Sequence, residues 1–195
     1  VIGAAFLACA GALVAACGSS ASPSAAPTAP ATSTPPATAS TPTPTATPSP
    51  AVPSCATSAL HASIGQGSGT AGSTIYPIVF TNISGTVCTM YGYPGVSFVT
   101  SQGGSQIGQA ATEDNAFART LVTLAPGATA HAPLQVVDAQ NYSAAKCSPV
   151  TAHWLKVYPP GQFDALYISF SSLTCSAKSV HILSVETVQR GSGGQ

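Results

Sequence analysis

Charge is what this chain has least of. Of its 195 residues, five are basic and five acidic, and they cancel. All ten fall between Glu113 and Arg190, and even within residues 55–195 they make up only about 7%, against about 25% in an ordinary soluble domain. With no basic stripe, the counterion release that drives binding to a phosphate backbone has no source, so a nucleic-acid partner is set aside. Cysteines at C-x₂₋₄-C spacing are missing too, which removes the common zinc frameworks. The only adjacent carboxylates, Glu113-Asp114, lack the alternating acidic spacing of a calcium loop. No G-x-S-x-G elbow is present to mark a hydrolase nucleophile. No metal, cofactor or catalytic constellation is expected.

The first seventeen residues carry neither charge nor hydroxyl and close on Val14-Ala15-Ala16-Cys17-Gly18. A short apolar run ending in small residues has the shape of a secretory signal and its cleavage site. Cysteine directly after them resembles the bacterial lipobox, in which the thiol takes a diacylglyceryl group. A membrane-spanning helix would need about 20 apolar residues, and Ser19, Ser20 and Ser22 end the run too early. The basic segment that usually opens such a signal is not in the sequence, which suggests a true start upstream or a chain that begins within its signal. Residues 1–17 are therefore expected to be a lipoprotein signal with Cys17 as the lipidated residue. This places the protein on the extracytoplasmic face of the cell membrane.

Residues 18–54 are a different material. They hold ten of the seventeen prolines, repeated Thr-Pro and Ser-Pro steps, and no charge or aromatic ring. Such a segment buries too little surface to offset the entropy of ordering, so it is expected to be a disordered tether. Fully extended it would reach on the order of 115 Å, and as a flexible coil about 35 Å. Its Ser/Thr/Pro density also fits an O-glycosylated stalk.

Six cysteines are present. Cys9 lies in the signal and Cys17 at its end. Cys55, Cys88, Cys147 and Cys175 are an even set in an exported domain, which reads as two disulfides. Four cysteines allow three pairings. Near neighbours in chain order would give Cys55–Cys88 and Cys147–Cys175.

Residues 55–190 then make one domain, with 191–195 as a flexible tail. Its signals are nearly all β. Leu60, Ala62 and Ile64 alternate with His61 and Ser63, and Tyr76, Ile78 and Phe80 alternate with Pro77, Val79 and Thr81. Asn82-Ile83-Ser84-Gly85 predicts a hairpin turn into a strand over 86–91. Gly92-Tyr93-Pro94-Gly95 turns the chain into 96–100. The run 121–124 ends at Ala125-Pro126-Gly127-Ala128, which suits a type II turn. Further strands are predicted at 129–137, 150–158, 166–171 and 180–188. Short helical turns are expected only within 113–119 and 139–147. Eight or nine short strands with turns between them indicate an immunoglobulin-like antiparallel β-sandwich.

Gly67-Ser68-Gly69-Thr70-Ala71-Gly72 matches G-x-G-x-x-G, but a strand-like run follows it where a dinucleotide site needs a helix, so it reads as a glycine hairpin loop. Of the four histidines, His61 and His131 fall on the polar side of their strands. His153 shares a face with Leu155 and Val157, and His181 with Leu183 and Val185, which places both at the core edge. Pairing of any of them with Asp138, Asp164 or Glu186 would offer a base and its orienter, yet no spacing selects a trio. Asn82-Ile83-Ser84 and Asn141-Tyr142-Ser143 match the N-glycosylation acceptor, a match that carries nothing on a bacterial lipoprotein. The aromatic turns are more informative. Tyr91, Tyr93 and Pro94 crowd one turn; Tyr158, Pro159, Pro160 and Phe163 crowd another. Tyrosine and proline on loops at a sandwich end can cover the core or offer a rigid contact surface. Tyr91, Tyr93, Pro94, Tyr158 and Phe163 are the candidate binding surface, for an envelope protein or a glycan. An envelope hydrolase built on a histidine and a passive spacer are the alternatives.

Several stretches are also similar to an actinobacterial family, the domain of unknown function 4232. They are 75–85 (Ile-Tyr-Pro-Ile-Val-Phe-Thr-Asn-Ile-Ser-Gly), 88–96 with its Tyr-Pro-Gly-Val step, the Leu-Ala-Pro-Gly segment from Leu124 through 132, Cys147, and Leu155-Lys156-Val157-Tyr158-Pro159-Pro160. The resemblance implies an all-β, disulfide-containing domain on exported proteins, often lipoproteins behind Pro/Ser/Thr-rich tethers, with no established activity. One departure stands out: after Gly108-Gln109-Ala110 the family leads one to expect a basic residue, and this chain has Ala111-Thr112-Glu113-Asp114.

Overall fold

The computed structural model describes residues 51–194. The signal-like stretch 1–17, its Cys17 and the tether as far as residue 50 lie outside the described residues. Among the described residues there are thirteen strands and three helical turns. The strands are β1 (Leu60–Ile64), β2 (Ser68–Thr70), β3 (Ser73–Asn82), β4 (Cys88–Met90), β5 (Gly95–Val99), β6 (Gln106–Ile107) and β7 (Thr112–Glu113). After them come β8 (Val122–Leu124), β9 (Thr129–Val137), β10 (Pro149–Tyr158), β11 (Leu166–Cys175), β12 (Leu183–Val185) and β13 (Gln189–Arg190). The helical turns are Thr57–Ala59, Ala139–Asn141 and α1 (Ala144–Cys147).

Period-two patterning forms the long strands. Along β9, Ala130, Ala132, Leu134 and Val136 are buried while their neighbours are half-exposed, the pattern of a strand with one face on a core. β3 does the same with Ile78 and Phe80. The Pro126-Gly127 turn into β9 forms as its residues require. Gly127 takes a φ of +75° and the Ala128 N–H donates to the Ala125 carbonyl at 3.0 Å.

Two sheets enclose the core. One has the order β1-β3-β9-β12-β7, with β2 added to β3 and β13 to β9; the other runs β11-β10-β5-β6. All pairings are antiparallel except β12 with β7. Phe80, Leu134 and Val185 from the first sheet join Phe98, Leu155 and Val157 from the second in one buried cluster. Tyr76 on β3 reaches across to Phe170 on β11, edge to face at 4.9 Å between ring centroids. This is the immunoglobulin arrangement, A-B-E strands facing G-F-C-C′, with one change. The position beside strand E is filled by β12, which comes from the C-terminal part of the chain. A small third ladder, β4 with β8, buries Cys88, Met90, Val122 and Leu124 against the same core.

The two disulfides join near neighbours in chain order. Cys55–Cys88 ties the segment before β1 to β4, and Cys147–Cys175 closes the open end of the β10–β11 hairpin. The chain is already hydrogen-bonded to the domain at Pro53, whose carbonyl accepts from the Thr89 N–H at 2.9 Å.

Several local expectations give way to tertiary contacts. Asn82–Gly85 does not close a hairpin, because β4 pairs with β8 and leaves β3 alone. Asn82, at the end of β3, is instead fully buried. Its Nδ2 donates to the carbonyls of Thr86 at 2.8 Å and Leu124 at 3.1 Å, and its Oδ1 accepts from Ser84 Oγ at 2.7 Å. A side chain so held leaves the matching glycosylation acceptor no free amide. Residues 113–119 form no helix: Glu113 ends β7, and Asp114 Oδ1 accepts from the Ala116 N–H at 3.0 Å in a local turn that competes with helix. The run 180–188 is strand only over β12.

The two core-edge histidines are corrected as well. A register shift between Ala152 and Trp154 puts Ala152 and Leu155 both inside and turns His153 out to solvent. His181 precedes β12 and is also exposed.

Candidate functional site

Four connecting segments gather at one end of the sandwich: 51–59 before β1, 83–94 between β3 and β5, 114–121 between β7 and β8, and 159–165 between β10 and β11. Specific contacts tie them together. The Cys55–Cys88 bridge joins the first two. Tyr93 Oη donates to Asn115 Oδ1 at 3.2 Å, joining the second and third. Thr57 Oγ1 donates to the Asp164 carbonyl at 3.2 Å, joining the first and fourth. In immunoglobulin terms these include the B–C and F–G loops, which share an end of the sandwich and carry recognition in variable domains.

The five aromatic and proline candidates all lie here. Residue Gly95 pairs with Tyr158 across β5 and β10, which sets the Tyr93-Pro94 turn beside the Tyr158-Pro159-Pro160 turn. Phe163, at the tip of the β10–β11 turn, is 95% exposed and Tyr91 55% exposed. Tyr93 is half-buried under Arg119, whose guanidinium carbon lies 4.8 Å from the ring centroid. Tyr158 is half-buried too, with Lys156 Nζ 5.3 Å from its ring. Pro94 is buried and offers no contact surface of its own, unlike the exposed Tyr91 and Phe163.

Sequence reasoning missed the aliphatic part of this surface. Ile83, Val87, Phe117 and Leu121 are all exposed. Extending the β4–β8 register by one residue sets Leu121 opposite Tyr91. With Val52, Tyr91 and Phe163, these side chains are seven of the nine exposed large hydrophobics in the described residues. The other two, Val150 and Leu173, sit toward the far end of β10 and β11. A signal was available: a large apolar residue inside a polar turn, such as Ile83 between Asn82 and Ser84, has no regular face to bury.

The histidines do not converge. His61, His153 and His181 are exposed at separate places. His131 lies on the outer face of the larger sheet, in one groove with Glu186, and its Nδ1 stands 3.1 Å from the Gly191 carbonyl. Among the described residues no histidine hydrogen-bonds a serine or a carboxylate, and no group of three His, Cys, Asp or Glu side chains could hold a metal ion. Glu186 has its pKa raised, first by burial and then by the nearby Asp114 carboxylate.

With the two-sheet fold and its paired cysteines in place, comparison with known proteins adds one match. The sequence profile of the family described as Domain of unknown function (DUF4232) matches residues 55–189. The chain belongs to this family. No curated protein and no solved structure matches it. The DUF4232 domain thus coincides with the disulfide-bonded sandwich, from Cys55 to Gln189 at the start of β13. Within it, the acidic pair that replaces the expected basic residue has local partners. Glu113 pairs with Arg119 at 3.3 Å, and Asp114 caps the following turn.

Proposed function

We propose that this DUF4232 protein is a lipid-anchored extracytoplasmic binding module whose loop end docks onto an envelope protein. One observation carries the reading: seven of nine exposed large hydrophobics collect on the four segments of that end. Patches of this kind on a soluble domain mark contact sites. Branched aliphatic residues, Ile83, Val87 and Leu121, accompany the rings. Sugar platforms use flat aromatic faces with polar rims, so this mixture favours a protein over a glycan. Tyrosine, phenylalanine and arginine together are the side chains that dominate protein interfaces. The anchor reading rests on Ala15-Ala16-Cys17 and on disulfides that persist in oxidising compartments.

The test is photo-cross-linking in intact cells from a reactive residue at Phe163 or Ile83, with Val150 as the remote control. A discrete protein adduct from the first two and none from Val150 is the expected result. Adducts to lipid alone would assign the surface to the bilayer, and equal background from all three positions would sink the reading. Separately, Cys17→Ala should release the protein from membranes, since stable attachment requires more than one weak signal. Retention of that variant would overturn the anchor.

A further inference from the structure

The outer face of the larger sheet carries a groove of about 650 Å³, away from the loop end. Its floor is made by side chains of β3 and β9 that point away from the core: Ile75, Pro77, Val79 and Pro133. Two backbone segments, 65–68 and 192–194, form its walls.

Pro77 and Pro133 stand opposite each other in the ladder. On one side the Gly65 N–H donates to the Pro77 carbonyl at 2.8 Å, and on the other the Glu186 N–H donates to the Pro133 carbonyl at 2.9 Å. A hydrogen-bonded antiparallel pair ordinarily returns each such bond. Proline has no N–H to return. The carbonyls of Gly65 and Glu186 therefore receive no ladder bond from these partners, at the two edges of the floor.

The side chains at the groove's end continue the theme. His131 Nδ1 stands 3.1 Å from the Gly191 carbonyl, so Nδ1 carries the hydrogen of that bond. The Glu186 carboxylate accepts one bond, from Gln189 Nε2 at 3.1 Å. Its charge is opposed first by burial and then by Asp114, and favoured by the Gln189 bond and by His131; among the described residues no lysine or arginine lines the groove. An anion would meet this carboxylate with repulsion. A bare metal ion would lack ligands, since no three converge. The groove supplies acceptors and negative charge above an apolar floor.

We propose that this groove binds a protonated organic amine, its ammonium against Glu186 and its hydrocarbon body on the Pro77–Pro133 floor. The site is independent of the loop-end surface, and its failure would leave that reading untouched. The probe is n-pentylammonium, with n-pentanol as its uncharged counterpart, titrated into the ¹⁵N-labelled, disulfide-intact chain from Gly18 onward. That chain keeps every described residue and the complete core.

Saturable shifts are expected at Gln66, Gly67 and residues 192–194 with pentylammonium. Affinity should fall roughly tenfold for pentanol and for Glu186→Gln, the scale of a lost charge-assisted bond. Acidification should weaken binding as Glu186 takes up a proton, with Asp114 and His131 the other ionisable groups that act on it. Equal binding of pentanol, unchanged affinity in Glu186→Gln, or no saturable shift with pentylammonium would each overturn the site.

Discussion

The guanidinium of Arg119 rests 4.8 Å from the centre of the Tyr93 ring while its Nη2 reaches the Glu113 carboxylate at 3.3 Å. One arginine thus bridges the tyrosine turn and the end of β7, two segments that are separate in the sequence. The ion pair is exposed on both sides and contributes little by itself. A cation over an aromatic face adds about 0.5–1 kcal/mol at such sites.

Tyr93→Ala should therefore lower stability by about 1 kcal/mol and speed amide exchange across 113–119. Tyr93→Phe keeps the ring under Arg119 and loses only the bond to Asn115. Chemical denaturation of both variants checks this. Equal losses from Ala and Phe would mean that the ring contributes nothing through Arg119.

Each disulfide closes a loop, of 33 residues for Cys55–Cys88 and 28 for Cys147–Cys175. In the chain-entropy account each contributes about 3–4 kcal/mol. The double variant Cys55→Ser with Cys88→Ser should also loosen the loop end, because that bridge holds 51–59 against β4. Cys147→Ser with Cys175→Ser should leave the loop end ordered. Cross-link yield from Phe163, compared in the two double variants, separates these effects. Identical yields would show that the first bridge does not organise the surface.

Gly108 takes a φ of +63°, and a Cβ there would run into the Cys175 carbonyl oxygen. Gly108→Ala should cost about 2–4 kcal/mol from backbone strain and overpacking combined. Gly127 has a similar φ of +75° but faces open space, so Gly127→Ala should cost about 1 kcal/mol. Melting temperatures of the pair measure the difference. If the two variants melt together, the close approach to Cys175 is not a constraint.

The raised pKa of Glu186 has a consequence for stability against pH. The folded chain holds this proton to higher pH than the unfolded chain does. Between the ordinary carboxylate value and the raised one, the native state binds more protons, so stability falls as pH rises. Below that window both states are protonated and the contribution favouring the fold is fully present. Glu186→Gln should remove the decline. Denaturation midpoints across the acid range, wild type against Glu186→Gln, test the sign. A wild-type advantage that grows with pH would reverse it.

Much of the fold is legible in the residues themselves. Alternation along β3 and β9, the Pro126-Gly127 turn and the four domain cysteines all depend on neighbours within a few positions. Local sterics and burial period determine them wherever the rest of the chain goes. The all-β class, the family and the two tyrosine turns follow from the same short-range signals.

What needed the tertiary structure is every choice of partner. Asn82 looks like a turn residue, yet it bonds a carbonyl 42 positions away on β8, the strand that β4 pairs with. His153 has the phase of a core residue until the shift against β11 turns it outward. β12 takes the place beside β9 that an earlier strand holds in other immunoglobulin-like sandwiches. The groove is assembled from residues between Gly65 and Gly194, and the apolar end from four loops. The sequence alone determines which residues can be strand, turn or bridge, because those preferences are set by each residue's own sterics. It leaves open which edges meet, because pairing energy is nearly the same for many strands and only the closing of one shared core selects among them.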